Sequence, residues 1–461
     1  MNQIDINKID NYFFIGVAGA GMSAIAQYLS GIGKKVSGSD RYFTTDNSSK
    51  IRIQLEKADI KTYPQDGSAI SDFIEIVVVS TAVEEQNIEY QEVIRRNLKI
   101  VHRADLLAAI SETKKTIAIA GTSGKSTTVA MLYQIMEYAN YNPSLITGAG
   151  LSKLIKKGKI GNAVAGKGKY LIIEADESDG TLVKYKADTG VILNIEKDHK
   201  ELEELEEIFG TFKKTTKNMF SVNQSNKRAS KFSENRNFDF GYDVDCKYNA
   251  INFKQKGYKI FFNLNNEKFE ISTIGMHNME NALAAISIAN LNGISLKKCA
   301  DALKTYEGIY RRMQIISQNE NITLIDDYAH NPVKIEAAIK ACQQNDNRVI
   351  AWFQPHGFGP TRFLKNEFIE KISNTLREQD QIWMSEIYYA GGTANKDISA
   401  LDLINGIKIK NKKAFFIENR NDFIPILKQN IKTGDTILLM GARDPSLEDF
   451  TQLVNNKLFT Q

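Results

Sequence analysis

A parallel α/β architecture is predicted by three features of this sequence. Short apolar runs of four to six residues, rich in Ile and Val, recur along the chain. Such runs read as strands buried on both faces. Helical patterns separate them, and strand–helix alternation builds parallel sheets covered by helices. The alternation breaks twice, so the 461 residues divide into three units, each of roughly 100–200 residues.

The first unit carries YFFIGV (12–17) and EIVVVS (75–80) and ends after HRADLLAAISETKK, near residue 111. The second starts with TIAIAG (116–121) and continues through YLIIEA (170–175) and GVILNI (190–195). A polar stretch, 221–237, follows without clear periodicity. The alternating segment 247–273 then reads as antiparallel strands within the same unit. Another α/β pattern begins after EGIYRRMQ (307–314), with ITLIDD (322–327), RVIAWF (348–353) and TILLMG (436–441). The expected domains are therefore 1–111, 112–309 and 310–461.

A formal net charge of +4 is too small for this length to imply nucleic-acid binding, and it suits a phosphorylated small substrate equally well. Cys246, Cys299 and Cys342 lie far apart. A disulfide framework or zinc site is not expected, and a reducing compartment fits. The first residues lack a basic segment followed by a long apolar core, so no signal peptide is read. No apolar run reaches ~18 residues, so no membrane span is expected and the cytoplasm is the expected location.

GVAGAGMSAIAQYL (16–29) follows a strand and opens a helix. Gly19 and Gly21 permit a tight turn and close approach of backbone to a phosphate, which a helix N-terminus attracts. Asp40 ends a second strand, roughly where a dinucleotide-binding fold keeps its ribose-binding acid. Nucleotide or pyrophosphate binding is the reading, with NAD(P) one candidate. Tight helix–strand packing with no ligand is the alternative.

IAIAGTSGKSTTVAMLYQI (117–135) carries a stronger signal. Its Gly-Lys-Ser turn resembles a phosphate loop, yet Ile119 stands where the general G-x-x-x-x-G-K-[ST] pattern has glycine. Backbone N–H groups between Gly121 and Gly124 would form an anion nest. Lys125 would meet the β- and γ-phosphates, and Ser126 would offer Mg²⁺ a hard oxygen ligand. A simple Ser/Thr helix cap is the rival. It leaves unexplained the acids Glu174, Asp176, Glu177 and Asp179 just past one strand and His199 past the next. Loop, acid and His at one sheet edge suit phosphoryl transfer.

With these residues assembled, the chain resembles the Mur ligase family, the ATP-dependent amide ligases of peptidoglycan synthesis, over nearly its whole length. GTSGKSTT looks like the family's shortened loop GT-x-GK-[ST]-[ST]-T. EADESD (174–179), NIEKDH (194–199), GMHNMENALAA (275–285), RRM (311–313) and DDYAHNP (326–332) match its further signatures in order. GVAGAGMSAIA, VSGSD, VVVSTAV, HRADLLA and FQPH look like the branch that adds alanine to UDP-N-acetylmuramate.

The resemblance implies an N-terminal Rossmann-like UDP-binding domain, a central P-loop-type ATPase domain and a C-terminal Rossmann-like domain. It implies ATP and Mg²⁺ as cofactors, and UDP-N-acetylmuramate and a small amino acid as partners. No nucleic acid or membrane is implied, and the protein would be a monomer or homodimer. Lys125 would contact the ATP phosphates, with Gly121, Thr122, Ser123, Gly124, Ser126 and Thr127 forming the loop. Ser126, Glu174 and His199 would hold the metal. Asn278 and Asn281 would bind near adenine, and Arg312 and Asp327 would reach ATP from the third domain after hinge closure. His330 and His356 would lie near the incoming amino acid. Gly19, Ala20, Gly21, Met22, Ser23, Ser80, Thr81, His102 and Arg103 would contact the UDP-sugar, with Asp40 near its uridine end.

Departures from the alanine-adding branch concentrate in the third domain. Asn331 replaces a second His, Gly357 an arginine, and GARDPSLEDF a glycine-rich ending; Ser123 and Ser126 also differ in the phosphate loop. The acceptor is thus better specified than the donor, and alanine, another amino acid or a recycled murein tripeptide all stay open. The implied chemistry is phosphorylation of the lactyl carboxylate to an acyl phosphate, followed by amine attack. His199 or His330 would assist with the amine proton. An NAD(P)-dependent oxidoreductase and a silent nucleotide-binding regulator are the more distant alternatives.

Overall fold

Tyr12 and Phe14 face one side of the first strand and Phe13 and Ile15 the other, and all four are buried. This is the period-two pattern of a strand covered on both faces. The computed structural model describes residues 4–44, 49–177, 181–196, 201–343, 347–389 and 395–459. These form two compact units, Met1–Tyr310 and Arg311–Gln461.

In the first unit, β1 (Asn11–Ile15), β2 (Lys35–Asp40), β3 (Ile60–Pro64), β4 (Ile76–Val79) and β5 (Ile100–His102) form a parallel sheet in the order β3-β2-β1-β4-β5. Helices α1 (Ala20–Gly31), α2 (Lys50–Glu56), α3 (Ile88–Arg95) and α4 (Arg103–Ser111) intervene. The order reverses at β1, so the loop after β1 lies at the switch point where such sheets bind ligands.

A second sheet takes β6 (Lys115–Ala120), β7 (Ser144–Ile146), β8 (Ala163–Val164), β9 (Tyr170–Ala175), β10 (Thr189–Ile192) and β11 (Met219–Val222), in the order β11-β10-β6-β9-β7-β8. Only β8 runs antiparallel to its neighbour. Between these strands come α5 (Lys125–Tyr138), α6 (Ser152–Ile155) and α7 (Leu202–Thr215). β12 (Phe240–Tyr242), β13 (Tyr248–Lys256), β14 (Lys259–Leu264) and β15 (Glu267–Ile271) make a smaller sheet, antiparallel from β13 to β15 as its alternating sequence predicts. Helices α8 (Met276–Leu291) and α9 (Leu296–Lys304) complete the unit.

Helix α1 faces both large sheets. Ile25 and Leu29 are buried with Tyr12 and Phe14 of the first sheet and with Ala118, Leu171 and Ile173 of the second. That shared cluster is why residues 1–111 and 112–309 cluster as one compact unit. On the other face of the second sheet, Ile117, Ile119 and Ile172 pack with Val129 and Leu132 of α5 and Leu283 and Ile286 of α8.

In the second unit the sheet order is β16-β17-β21-β18-β19-β20. It comprises β16 (Gln314–Gln318), β17 (Ile322–Asp327), β18 (Val349–Gln354), β19 (Gln381–Ser385), β20 (Ala414–Ile417) and β21 (Asp435–Gly441). All are parallel except β16. Helix α10 (Pro332–Cys342) follows β17.

Candidate active site

Two helix N-termini at sheet edges dominate the first unit. Strand β1 runs into a turn whose backbone is tied to β2: Gly16 N and Val17 N donate to Ser39 O. Ala18 N donates 3.0 Å to Asp40 Oδ2, and Tyr42 N donates 3.1 Å to Asp40 Oδ1. Asp40 is 6% exposed, and burial raises its carboxyl above the ordinary range. Both of its oxygens are engaged with backbone, so it braces the glycine turn. The first intrahelical donor of α1 is Ser23 N, to Gly19 O. The N–H groups of Ala20, Gly21 and Met22 precede it and have no helical acceptor, which leaves them for an anion.

Arg103 lies directly over this turn. A Cβ on Gly21 would come 2.9 Å from an Arg103 guanidinium nitrogen. The guanidinium is thus packed close on the turn, where a phosphate held by the turn would meet it; a larger residue at 21 would make the Arg103 side chain shift. His102 caps α4 by accepting Ala104 N through Nδ1 at 3.3 Å. Ser80 closes a turn past β4 by accepting Ala82 N, and Thr81 is exposed beside it.

The second turn joins β6 to α5. Gly124, the N-cap, has φ +84, and a Cβ there would fall 2.2 Å from Asn281 Oδ1. Both facts demand glycine. Thr128 N donates to Gly124 O, so Lys125, Ser126 and Thr127 hold the helix's unmatched N–H groups. One side of the loop is strapped by Asn194. Its Oδ1 accepts Thr122 Oγ1 and Ser123 N, both at 2.9 Å, and its Nδ2 donates to Ser123 O at 3.1 Å. Thr122 N also reaches Asn194 O, and Glu196 N donates to Thr122 Oγ1.

Lys125 Nζ donates to Gly121 O and to Glu177 Oε2, both at 2.7 Å, with Asp176 Oδ1 at 3.5 Å. The pair is largely shielded, with side chains 14% and 6% exposed. Burial pulls the ammonium down, but the Glu177 and Asp176 carboxylates more than offset it, so it is held above its ordinary value.

Register places Glu174 of β9 opposite Ile119, one residue before the loop's strand ends. Its Oε1 accepts from the Thr147 hydroxyl and, at 2.9 Å, from Gly148 N. Oε2 meets no protein donor among the described residues. A carboxylate oxygen with open capacity and a half-buried Ser126 hydroxyl are hard donors of the type Mg²⁺ takes. Among the described residues no group of three or more His, Cys, Asp or Glu converges on one point. His199, read as the third ligand, lies outside the described residues, as does Asp179.

Asn278 and Asn281 are buried on α8, next to the loop. Asn278 Nδ2 donates to Thr273 Oγ1 and Ile274 O, and Asn281 Nδ2 to Asn278 Oδ1. The Asn281 side chain packs on Gly124.

In the second unit, Asp327 is buried, and its oxygens accept Met313 N at 2.6 Å and Ala329 N at 2.7 Å. Burial raises its carboxyl, with Arg312 opposing. Arg312 is exposed, its guanidinium 5.5 Å from the Tyr328 ring centroid. Its neighbour Arg311 is buried against Asp326 at 3.0 Å and also donates to Gly441 O at 2.9 Å.

His330 and His356 leave adjacent parts of the same sheet edge, with ring centroids 5.5 Å apart. His330 Nδ1 lies 2.9 Å from Tyr328 O, so this nitrogen carries the proton. Burial lowers His330 to about 4, with Lys334, His356 and Arg312 also lowering it. His356 is lowered by burial and by Arg443. Asn331 caps α10 by accepting Lys334 N at 2.9 Å, with Pro332 in the first turn. Gly357 has φ +73 and caps the helix Phe358–Phe363.

Three family models match the chain: a Mur ligase family catalytic domain over residues 11–115, a Mur ligase middle domain over 119–289, and a Mur ligase glutamate ligase domain over 311–443. The UDP-N-acetylmuramate–L-alanine ligase of Pelotomaculum thermopropionicum is 33% identical over 460 residues, covering 95% of this chain and 96% of that one.

The chain belongs to the Mur ligase family.

A second UDP-N-acetylmuramate–L-alanine ligase, of Carboxydothermus hydrogenoformans, is 31% identical over 452 residues, covering 95% of each chain. In fold, this Mur ligase is similar to the crystal structure of UDP-N-acetylmuramate-alanine ligase from Thermotoga maritima, at TM-score 0.77 and 23% identity, covering 97% of this chain and 98% of that one. It is also similar to a murein peptide ligase from Psychrobacter arcticus, at TM-score 0.67 and 20% identity, covering 98% and 99%. As a Mur ligase it is an ATP-dependent enzyme that forms amide bonds, which removes the oxidoreductase reading of the first turn. No helix among the described residues is long and apolar enough to cross a membrane.

Proposed function

We propose that this Mur ligase joins L-alanine to the lactyl carboxylate of UDP-N-acetylmuramate, with ATP cleaved to ADP and phosphate, in the cytoplasmic stage of peptidoglycan synthesis. One observation supports it most: two strand-to-helix turns with unmatched N–H groups, 19–23 and 121–127, occur in one compact unit of a chain with full-length similarity to ligases of that name. In this reading the first turn, with Arg103, takes the UDP pyrophosphate, and Ser80, Thr81 and His102 line the sugar side. The second turn takes the ATP phosphates. The domains divide at 111/112 and 309/310.

A carboxylate is a poor electrophile, so it is first phosphorylated by ATP. The lactyl oxygen bonds to the γ-phosphorus and ADP leaves. The amino group then attacks the acyl carbon and phosphate departs. Lys125 and the N–H groups of Lys125, Ser126 and Thr127 hold the charge that develops on the phosphoryl oxygens. Ser126 and Glu174, with His199, would hold Mg²⁺, which would neutralise phosphate charge there. Arg312 is proposed to contact ATP, Asp327 to fix the backbone beside Arg312 through Met313 N, and Asn278 and Asn281 to shape the loop's adenine side. His330 and His356 are proposed to flank the amino acid. His330, lowered to about 4, is a neutral hydrogen-bonding ring and a poor base for an ammonium group. The active species would be a monomer or homodimer.

A second reading keeps the acceptor and changes the donor to a murein tripeptide. The observation favouring it is local: Asn331 and Gly357 serve as helix caps where the alanine-adding branch carries His and Arg. Phosphate release with ATP, Mg²⁺ and UDP-N-acetylmuramate, measured against amino acids and tripeptide, separates the two. Release with alanine supports the first reading. Release with tripeptide alone supports the second.

A further inference from the structure

We propose that Asn162 is a positioning residue for the UDP-sugar turn, which it holds from the edge of the second sheet. The inference rests on the assignment of residues 19–23 to the UDP-sugar.

Asn162 is 3% exposed and immediately precedes β8. Its side-chain amide is spent on α1. Nδ2 donates to Ala20 O at 2.8 Å and to Ser23 Oγ at 3.0 Å, and Oδ1 accepts Gln27 Nε2 at 2.7 Å. Gln27 Nε2 also reaches Ser23 O at 2.9 Å, and Ser23 Oγ donates to Ala20 O at 3.0 Å. Ala20 is the first residue of α1, so these contacts hold the turn whose N–H groups face the proposed pyrophosphate.

The anchor itself is bonded into the second sheet, not into α1. Asn162 O accepts Thr147 N at 3.0 Å, the next residue pairs with Ile146 in the β7–β8 ladder, and the Thr147 hydroxyl donates to Glu174. At the other end of α1, a Cβ on Gly31 would lie 2.6 Å from Ala165 Cβ, so the helix rests on the same sheet edge at both ends. The three donors of the turn therefore take their direction from a residue outside the Rossmann-like sheet. Aim matters because a hydrogen bond weakens steeply as its angle falls.

Asn162→Asp is nearly isosteric but sets a carboxylate oxygen against Ala20 O, where the amide donated. Asn162→Ala removes all three bonds. The test uses the full-length protein and measures the dissociation constants of UDP-N-acetylmuramate and of a non-hydrolysable ATP analogue by calorimetry, with KM and kcat beside them. Both variants are expected to weaken UDP-N-acetylmuramate binding by about tenfold or more. ATP-analogue affinity should stay within about twofold and kcat at saturating UDP-sugar should be retained, as expected when positioning for binding alone is lost. Gln27→Leu, which leaves the Nδ2 bonds in place, should give a smaller loss of the same kind and serves if the Asn162 variants do not fold. Unchanged UDP-sugar affinity, or equal loss of both ligands, would overturn the proposal. If the unaltered protein binds no UDP-N-acetylmuramate, the functional assignment of the turn fails, and this inference with it.

Discussion

Replacing Lys125 separates its work in folding from its work in catalysis. Its ammonium and the Glu177 carboxylate are 2.7 Å apart, with side chains 14% and 6% exposed. Lys125→Met alone would strand Glu177 against a low-dielectric surface. Breaking a fully buried pair costs about 3–5 kcal/mol. The remaining exposure and the option of protonating Glu177 bring the expected loss to roughly 2–3 kcal/mol. The double variant Lys125→Met/Glu177→Gln removes both charges and should recover most of that stability, to within about 1 kcal/mol of the unaltered protein. Catalysis should not recover. A lysine that stabilises phosphoryl charge lowers the barrier by about 3–4 kcal/mol, or some two to three orders of magnitude in rate. The assays are thermal or urea unfolding and phosphate release at saturating substrates. A double variant that regains both stability and activity would show that Lys125 serves only to neutralise Glu177.

Asn194→Ala removes the strap of hydrogen bonds on residues 122 and 123; KM for ATP should rise about tenfold while UDP-sugar affinity is kept, and steady-state kinetics with each substrate varied checks it. Glu89 is fully buried beside Ser39, and burial raises its carboxyl to about 7. The folded state thus holds this proton more tightly than the unfolded chain. Its stabilising contribution is complete below the ordinary carboxylate range and is lost as pH rises through about 7. Glu89→Gln should therefore be the more stable protein at pH 8 by about 2–3 kcal/mol and nearly equal at pH 5, as read from melting curves at both pH values. His330, lowered to about 4, stays neutral from pH 6 to 9. His330→Gln should lower kcat/KM for the amino acid without removing a limb from the pH–rate profile in that range, and an altered limb would reinstate it as the base.

The elements that chain-local patterns define were legible in the sequence. Each of the eight apolar runs quoted from the sequence contributes to a strand, and YLIIEA and ITLIDD coincide with β9 and β17 end to end. The turn at Gly124 was legible because Gly-Lys-Ser at a strand–helix junction has few other uses. The polar partners that hold these turns were not. Asn194 lies 71 residues from Ser123, Asn162 lies 142 from Ala20, and Glu177 lies 52 from Lys125. A single Asn or Glu carries no periodicity to mark such contacts. Asp40 was read as a ligand-binding acid from its place at a strand end, and that same place brings it to Ala18 N and Tyr42 N. The departures at Asn331 and Gly357 read as puzzles in sequence and become helix caps in structure. The joint burial of α1 by both large sheets was also hidden, because an apolar helix looks alike whether covered on one side or two.

The most direct test of the account is phosphate release by the full-length protein with ATP, Mg²⁺ and UDP-N-acetylmuramate, with L-alanine, glycine, L-serine or murein tripeptide added in turn. The account predicts release that depends on both UDP-N-acetylmuramate and L-alanine and yields UDP-N-acetylmuramoyl-L-alanine by mass. Release with tripeptide alone would contradict the donor, and no release with any donor would contradict the ligase assignment itself.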